Sequence, residues 1–169
     1  MVAVAQDVQG EAAVRPIAEE RGVTFPVLVD RESVLGKGLE FRIVPSGFFV
    51  SANGEVVYAN RDDFDIGDPR VRLNLDRFLA GEPTESSGED EQMNPEALEL
   101  FAQGVVHYGE GRVDDAVGVW REALEVDPDN FVIRSQIWAV EHPERFYPAV
   151  DREWQEFQLV KEGYDKPLP

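Results

Sequence analysis

Residues 47–58, Gly-Phe-Phe-Val-Ser-Ala-Asn-Gly-Glu-Val-Val-Tyr, decide the fold of the first half of the chain. Two apolar runs, at residues 47–50 and 55–58, flank the dipeptide Asn53-Gly54. Asn-Gly is the dipeptide that best supports a tight type I′ turn between two antiparallel strands. The stretch therefore predicts a β-hairpin with its turn at Asn53-Gly54.

Strand and helix signals alternate upstream of this hairpin. Residues 2–5 form a short apolar run that is typical of a buried parallel strand. Residues 25–30 read as a second strand, and Pro26 favours an edge position for it. A helix is predicted between the two strands, from about Glu11 to Arg21. The alternation predicts an α/β unit.

An acidic segment divides the chain downstream of the hairpin. Asp68-Pro69 begins a predicted helix, which Gly81 ends. Residues 82–94 are acidic and rich in small residues, with one methionine as their only apolar side chain. Such a composition is typical of a flexible linker. We therefore predict a first domain over residues 1–81 and a linker over 82–94.

The pattern after the linker is helical throughout. Apolar residues spaced three to four apart predict one helix that begins at Pro95 and a second that carries Val113 to Leu124. Residues 131–141 predict a third helix. A last helix is predicted to carry Val150, Trp154 and Phe157. Residues 95–166 are therefore expected to form a small all-α domain.

Composition excludes several classes of function. The chain has no cysteine, which excludes disulfides, thiolate metal sites and cysteine nucleophiles. It carries 34 acidic against 16 basic residues, a net charge of −18, which disfavours nucleic acid as a partner. Acidic excess with little lysine resembles proteins of salt-loving microbes, although an ordinary acidic cytosolic protein shares it. No apolar run is long enough to cross a membrane, and no basic region precedes an apolar stretch at the N-terminus.

Residues 2–79 resemble the second half of the redoxin family, which comprises thiol-disulfide oxidoreductases and peroxiredoxin-like proteins of the thioredoxin fold. The resemblance is carried by an ordered string rather than by one motif: the apolar run and Gln6-Asp7, a helix, residues 24–30, residues 43–45 and the Asn53-Gly54 hairpin. It implies an incomplete thioredoxin-like domain with a mixed sheet.

The same resemblance implies a role for Val44 and Pro45. In this family the proline before the hairpin is cis and faces the Cys-x-x-Cys pair, and the backbone of the preceding residue touches a bound peptide. Pro45 holds the matching position, and Val44 precedes it. The resemblance therefore implies a peptide-binding position at Val44 and Pro45.

The resemblance also implies a gap in the sheet. The family's catalytic cysteines lie on a strand–helix unit upstream of the segment that matches residues 2–7, and that strand runs between the strands matching residues 2–5 and 47–50. Unpaired central edges expose backbone donors and apolar faces. Three arrangements would close the gap: direct pairing of the flanking strands, a strand exchanged with a second copy in a homodimer, or a strand from a separate partner. Alternatively, the chain is a fragment, and Met1 is not the true start.

Residues 97–130 are similar to a single tetratricopeptide repeat. The positions that carry this resemblance are the repeat's large residues, small residues and final proline: Leu100, Gly104, Ala116, Trp120, Ala123 and Pro128. It implies that Gly104 and Ala116 let two antiparallel helices approach closely. One repeat cannot bury its own face, so we expect cover from the first half, from another chain or from aromatic residues after Asn130. Residues 131–141 and the last helix are expected to act as caps.

These observations predict a redox-inactive thioredoxin-like and tetratricopeptide-like protein that acts in protein–protein interaction. The alternative is the C-terminal fragment of a thiol-disulfide oxidoreductase whose catalytic cysteines lie upstream. The sequence predicts no catalytic residue, no metal site and no cofactor motif in this chain. Its expected partner is another protein or a second copy, neither nucleic acid nor membrane, and its expected location is the cytoplasm.

Overall fold

The computed structural model describes residues 1–40, 42–61, 64–86 and 94–164. In these ranges the chain is a mixed α/β protein, which confirms the coarse fold class. Its strands are β1 (Ala3–Ala5), β2 (Val27–Val29), β3 (Gly47–Val50) and β4 (Val56–Asn60). Its α-helices are α1 (Glu11–Glu20), α2 (Val34–Leu39), α3 (Pro69–Ala80), α4 (Pro95–Gly109), α5 (Val113–Val126), α6 (Phe131–Glu141) and α7 (Arg152–Lys161), with a 3-10 helix at Pro143–Arg145. None of the described helices is both long enough and apolar enough for a membrane crossing.

The described strands form two separate sheets of two strands each. β1 and β2 are parallel, with Ala3 opposite Val27 and Ala5 opposite Val29. β3 and β4 are antiparallel. Within the described ranges β1 does not pair with β3, so direct pairing of these two strands does not close the expected gap.

The hairpin forms as predicted, but its turn differs from the predicted type. The amide of Gly54 donates to the carbonyl of Ser51 at 3.0 Å, which centres the turn on Ala52 and Asn53. Gly54 follows with a φ of 84°, whereas the φ of Asn53 is not positive. A type I′ turn requires positive φ at both central residues. The prediction of a type I′ turn is therefore wrong, and Gly54 supplies the left-handed residue that lets a longer connection rejoin β4.

An aromatic cluster holds the hairpin against α3. The rings of Phe49 and Tyr58 stack with their centroids 4.4 Å apart, and the ring of Phe78 lies 5.2 Å from that of Phe49. Gly47 makes room for another ring, because a Cβ at this position would stand 2.0 Å from Cδ2 of Phe64. Tyr58 is almost fully buried. This cluster is therefore the core of residues 1–81, which contain the strands and are called the sheet half.

Most of the apolar core lies among residues 94–164, which are called the helical half. α4 and α5 form an antiparallel pair around Trp120, which is fully buried. α6 packs on this pair through Ile133 and Ile137. Its other side packs through Phe131 and Trp138 against residues that include Leu159 of α7.

α6 is a central helix and not the cap that the sequence pattern suggested. Eight of its eleven residues are buried. The physical reason is that α6 has almost no polar face, and a helix that is apolar on most sides is stable only when neighbours surround it.

The last helix begins later than predicted. α7 begins at Arg152, after the N-cap residue Asp151, so Val150 lies outside the helix that was predicted to carry it.

Contacts between the two halves cross the predicted linker. The side chain of Val8 is 3% exposed and belongs to the core of the helical half. The guanidinium of Arg42 donates to the buried carboxylate of Asp127 at 2.8 Å, and the carbonyl of Arg42 accepts from the amide of Val132 at 3.0 Å. Residues 87–93 of the predicted linker and 165–166 of the predicted helical domain lie outside the described residues. The division into domains at 82–94 stays a prediction.

Candidate functional site

Val44 and Pro45 lie on the surface just before β3. Their peptide bond is cis. The carbonyl of Pro45 accepts from the amide of Phe64 at 2.8 Å, and the hydroxyl of Ser46 donates to the carbonyl of Ile43 at 2.7 Å. Val44 is 37% exposed, and its N–H and C=O bond no other described residue. Its backbone groups therefore have no described partner at the position where the resemblance expects a bound peptide.

β1 has one bonded edge and one open edge. The amide of Ala3 donates to the carbonyl of Pro26 at 3.0 Å, and the carbonyl of Ala5 accepts from the amide of Asp30 at 2.8 Å. Because the backbone groups of successive strand residues face opposite edges, the N–H and C=O of Val4 face away from β2. Neither group bonds another described residue. An unpaired edge of this kind is a template for a further strand.

An exposed apolar pair lies beside the open edge. Val4 and Leu28 are cross-strand neighbours in β1 and β2 and are 38% and 54% exposed. The alternate residues of both strands are half-buried, as expected if α1, which contacts β2, covers only the other face. Parallel sheets in proteins are usually covered on both faces. Here one face of the β1–β2 sheet is apolar and open.

The outer edge of β4 is covered by side chains. The hydroxyl of Thr84 donates to the carbonyl of Val57, and the hydroxyl oxygen of Ser86 accepts from the amide of Ala59 at 2.9 Å. The amide of Glu85 between them donates to Oδ1 of Asn74 at 2.7 Å. The first residues of the predicted linker therefore protect this edge, whereas the edge of β1 at Val4 has no such cover among the described residues.

The side-chain amide of Gln136 ends the open edge of β1. Its Nε2 donates to the carbonyl of Gln6 at 3.0 Å, and its Oε1 accepts from the amide of Val8 at 2.9 Å. A neighbouring parallel strand offers the same pair of groups to alternate residues of its partner. One side chain of α6 thus takes the place of a strand just beyond Ala5, and Gln136 is 6% exposed.

Gln9 binds a carbonyl that the end of α6 leaves free. The residue four positions after Ala139 is Pro143, which has no N–H to donate to the carbonyl of Ala139. The Nε2 of Gln9 donates to that carbonyl at 2.8 Å and to the hydroxyl oxygen of Tyr147 at 3.2 Å. The carbonyl that Pro143 leaves free at the end of α6 thus binds a side chain of the sheet half.

Asp7 completes this contact. The hydroxyl of Tyr147 donates to Oδ2 of Asp7 at 2.6 Å, and Oδ1 of Asp7 accepts from the amide of Gln9 at 2.8 Å. We call residues 6–10, together with Gln136, Ala139 and Tyr147, the junction. It joins the end of β1 to the helical half through hydrogen bonds that span more than a hundred residues of sequence.

Burial determines the ionisation of the junction. Removal from water raises the pKa of the Asp7 carboxyl, against the opposing effect of its hydrogen bond from Tyr147 and the more distant charge of Arg31. Burial also raises the pKa of the Tyr147 hydroxyl, and the neighbouring Asp7 raises it further. The pKa of Tyr108 on α4 is raised by burial and then by Asp7. These hydroxyls therefore stay protonated at neutral pH and remain donors.

The residues of the repeat-like pair meet at one close approach. A Cβ on Gly104 would stand 2.2 Å from Nε1 of Trp120, so only glycine lets the indole lie against α4 at this point. That Nε1 donates to the carbonyl of Phe101 at 3.0 Å. Ala116 and Ala123 are fully buried in the same core. Leu100 packs at the margin of this core, and Pro128 is exposed just after α5.

Thiol chemistry and metal chemistry each require particular groups on the described surface. No cysteine is present to supply a thiolate. In the part of the chain that the structure describes, no three His, Asp or Glu side chains converge where they could hold a metal ion. The described surface does offer backbone groups of Val4 and Val44 that bond no other described residue, and the exposed apolar pair Val4 and Leu28.

Comparisons with known proteins found no match of this chain to a family model, to a curated protein or to a solved structure. The class of protein is therefore defined by its own architecture: a mixed α/β protein with two small sheets and a helical half that closes one end of β1.

Sequence reasoning missed the junction. Gln136 and Tyr147 carry no motif, and their partners lie at the opposite end of the chain. One local signal was available, because Pro143 just after a predicted helix implies an unpaired carbonyl at Ala139. Nothing in the local pattern identifies Gln9 as its partner.

Proposed function

We propose that the chain is a redox-inactive protein-interaction module that receives an extended segment of a separate protein along the open edge of β1. One observation carries the proposal: Val4 combines backbone groups that bond no other described residue with an apolar side chain that is exposed beside Leu28. An added strand would satisfy the N–H and C=O of Val4, and its side chains would cover the exposed pair. The chain has no cysteine, so this module acts by binding and not by thiol exchange.

The geometry of the edge limits what it can accept. Gln136 already occupies the carbonyl of Gln6 and the amide of Val8. An added strand can therefore pair with β1 itself, Ala3–Ala5, and not with the residues that follow it. The expected ligand is a short extended segment and not a long strand.

Charge favours a basic partner. The chain has a net charge of −18, and a potential of this sign attracts positively charged segments and repels acidic ones. The apolar pair Val4 and Leu28 favours apolar side chains on the face of the segment that meets it. The preferred ligand therefore has alternating apolar residues flanked by lysine or arginine.

Selection from a library of short random peptides tests this function, followed by NMR of the isotope-labelled chain with each selected peptide. We expect alternating apolar peptides with basic ends, and we expect them to slow hydrogen exchange at the amide of Val4. Peptides that bind without slowing exchange at Val4 would contradict the proposed edge.

Two substitutions of one residue separate strand pairing from apolar contact. Val4→Pro removes an N–H that bonds no described residue, so it should abolish binding while the fold is retained. Val4→Thr keeps the N–H and should weaken binding only moderately.

Light scattering of the free chain identifies what occupies the open edge of β1. A dimer that Val4→Pro dissociates would show that a second copy of the chain, and not a separate protein, pairs with this edge.

Two finer fold assignments are part of this proposal. A thioredoxin-like origin for residues 1–81 is supported by the parallel β1–β2 pair followed by the antiparallel β3–β4 pair. A tetratricopeptide-like origin for α4 and α5 is supported by the contact of Gly104 with Trp120. A cytoplasmic location is proposed with them.

A second candidate is that the chain is the C-terminal part of a thiol-disulfide oxidoreductase. The specific observation in its favour is the separation of the two sheets, since a strand that carries Cys-x-x-Cys would lie between β1 and β3 in that family. The intact mass of the protein in its source cells decides between the two candidates. A mass that corresponds to this chain alone contradicts the oxidoreductase, and a larger mass with an upstream Cys-x-x-Cys supports it.

A further inference from the structure

We propose that Asn53 is a site of spontaneous deamidation, and that closure of the β3–β4 hairpin controls the rate of this reaction. Deamidation requires an asparagine whose side chain can reach the amide nitrogen of the next residue, and it is fastest when that residue is glycine. Asn53-Gly54 is the only such pair in the sequence. This inference does not depend on the proposed binding function.

The asparagines of the chain differ in their exposure and in the residue that follows them. Asn53 is exposed, and its side-chain amide bonds no other described residue. Asn94 precedes Pro95, whose nitrogen carries no hydrogen that the reaction could remove. The remaining asparagines are buried and precede residues with side chains: Asn60, Asn74 and Asn130. Exposure and sequence therefore both single out Asn53.

The reaction at Asn53 needs no reactant other than water. The nitrogen of Gly54 attacks Cγ of Asn53, the new bond closes a cyclic imide, and the bond between Cγ and Nδ2 breaks. The amide proton of Gly54 leaves with Nδ2 as ammonia. Water then opens the imide at either carbonyl and gives aspartate or isoaspartate. Gly54 has no side chain to hinder the attack, and even a Cβ there would meet no other atom within 4 Å.

The closed hairpin opposes this attack. The amide of Gly54 donates to the carbonyl of Ser51 at 3.0 Å, so the attacking nitrogen holds its proton in a hydrogen bond. Ser51 also bonds Glu55 twice: its amide donates to the carbonyl of Glu55 at 2.8 Å, and its Oγ accepts from the amide of Glu55 at 3.2 Å. These bonds fix the backbone on both sides of Asn53. The bond between Gly54 and Ser51 must therefore open before the imide forms.

Conversion of Asn53 changes the hairpin in two ways. Isoaspartate places Cβ of residue 53 in the main chain, which lengthens the connection between β3 and β4 and shifts Gly54 relative to the carbonyl of Ser51. Both products add a carboxylate beside Glu55, in a chain whose net charge is already −18. The modification therefore loosens the turn that holds β3 against β4.

Peptide mapping by mass spectrometry, at intervals during incubation at one mildly alkaline pH, measures the conversion of each asparagine. We expect conversion at Asn53 and at no other asparagine of the folded chain. The rate at Asn53 should be roughly two- to tenfold lower than in urea, which is the effect of one hydrogen bond that must open first. Asn53→Gln keeps a side-chain amide but needs a larger ring, so this control should release no ammonia over the same time.

Three results would overturn the proposal. One is that another asparagine of the folded chain converts before Asn53. Another is that Asn53 keeps its amide in the folded chain throughout, whether or not it converts in urea. The third is an equal rate at Asn53 in the folded chain and in urea, which would show that the hairpin does not control the reaction. All three are read from the unsubstituted chain, so they do not depend on the folding of Asn53→Gln.

Discussion

α6 and the β1–β2 sheet with α1 use apolar side chains in opposite ways. Eight of the eleven residues of α6 are buried, whereas none of the residues of α1 is. The strands beside α1 leave Val4 and Leu28 exposed. The helical half is therefore stabilised by its own packing. The β1–β2 sheet with α1 depends on what covers it, through Val8 and the junction in this chain and through an added strand in the proposed complex.

Truncation of Trp120 should have the largest effect. Trp120→Ala removes a fully buried indole and its hydrogen bond to Phe101, and it should cost about 3–5 kcal/mol in the free energy of unfolding. Leu28→Ala in the exposed pair is the matched truncation and should stay within about 0.5 kcal/mol. Urea denaturation measures both. Equal losses would contradict the contrast between the halves.

Substitution of Gly104 tests the close approach inside the helical half. Gly104→Ala places a methyl group 2.2 Å from Nε1 of Trp120 and should destabilise the chain by about 1–3 kcal/mol through overpacking. Gly118→Ala on α5 meets no atom within 4 Å and should stabilise by about 0.5–1 kcal/mol. Opposite signs in the thermal midpoints are expected. A neutral Gly104→Ala would show that Trp120 can move.

Removal of the Gln136 amide tests the connection between the halves. Gln136→Ala leaves the carbonyl of Gln6 and the amide of Val8 without their partner, and each such loss costs about 1–3 kcal/mol if water cannot enter. Exchange at the Val8 amide should accelerate. Gln103→Ala, at an exposed position of α4, is the control and should change neither quantity. Unchanged exchange in Gln136→Ala would contradict the role given to this side chain.

The smallest effect is expected at the cap of α3. Asp68 accepts from the amide of Arg70 at 2.6 Å, and this hydrogen bond lowers the pKa of the Asp68 carboxyl. Its contribution is present above the pKa of the unfolded chain and is lost as the pH falls through the lowered pKa. Asp68→Ala should therefore lower the thermal midpoint slightly at neutral pH and not in strong acid. A difference that persists in strong acid would contradict the assignment to the ionised carboxyl.

Local signals predicted the elements whose causes are local. The hairpin follows from a turn dipeptide between apolar runs, and α4 and α5 follow from apolar spacing, a proline at the start and a glycine at the break. Even there, the type of turn was wrong, because the turn is centred on Ala52 and Asn53, so Asn53 lies one position later in the turn than a type I′ geometry requires. The dipeptide identifies the hairpin but does not determine how many residues the connection uses.

Features that depend on distant partners were not predictable in this way. The role of Gln136 depends on Gln6 and Val8, and no local pattern separates it from a glutamine on the surface. The lack of a polar face on α6 indicated a central position for this helix. The degenerate repeat pattern after Asn130 suggested a cap instead. Burial of α6 requires contact with both α5 and α7, and a sequence window on one helix does not contain those neighbours.

The bond between Val8 and Gln136 has a consequence for how the protein is made. The chain leaves the ribosome from its N-terminus, so β1 and Val8 emerge long before α6 is synthesised. Until then Val8 has no apolar core to enter, and the end of β1 remains an unprotected strand edge exposed to other chains in the cell. A helix that is synthesised later therefore fixes a strand that is synthesised earlier.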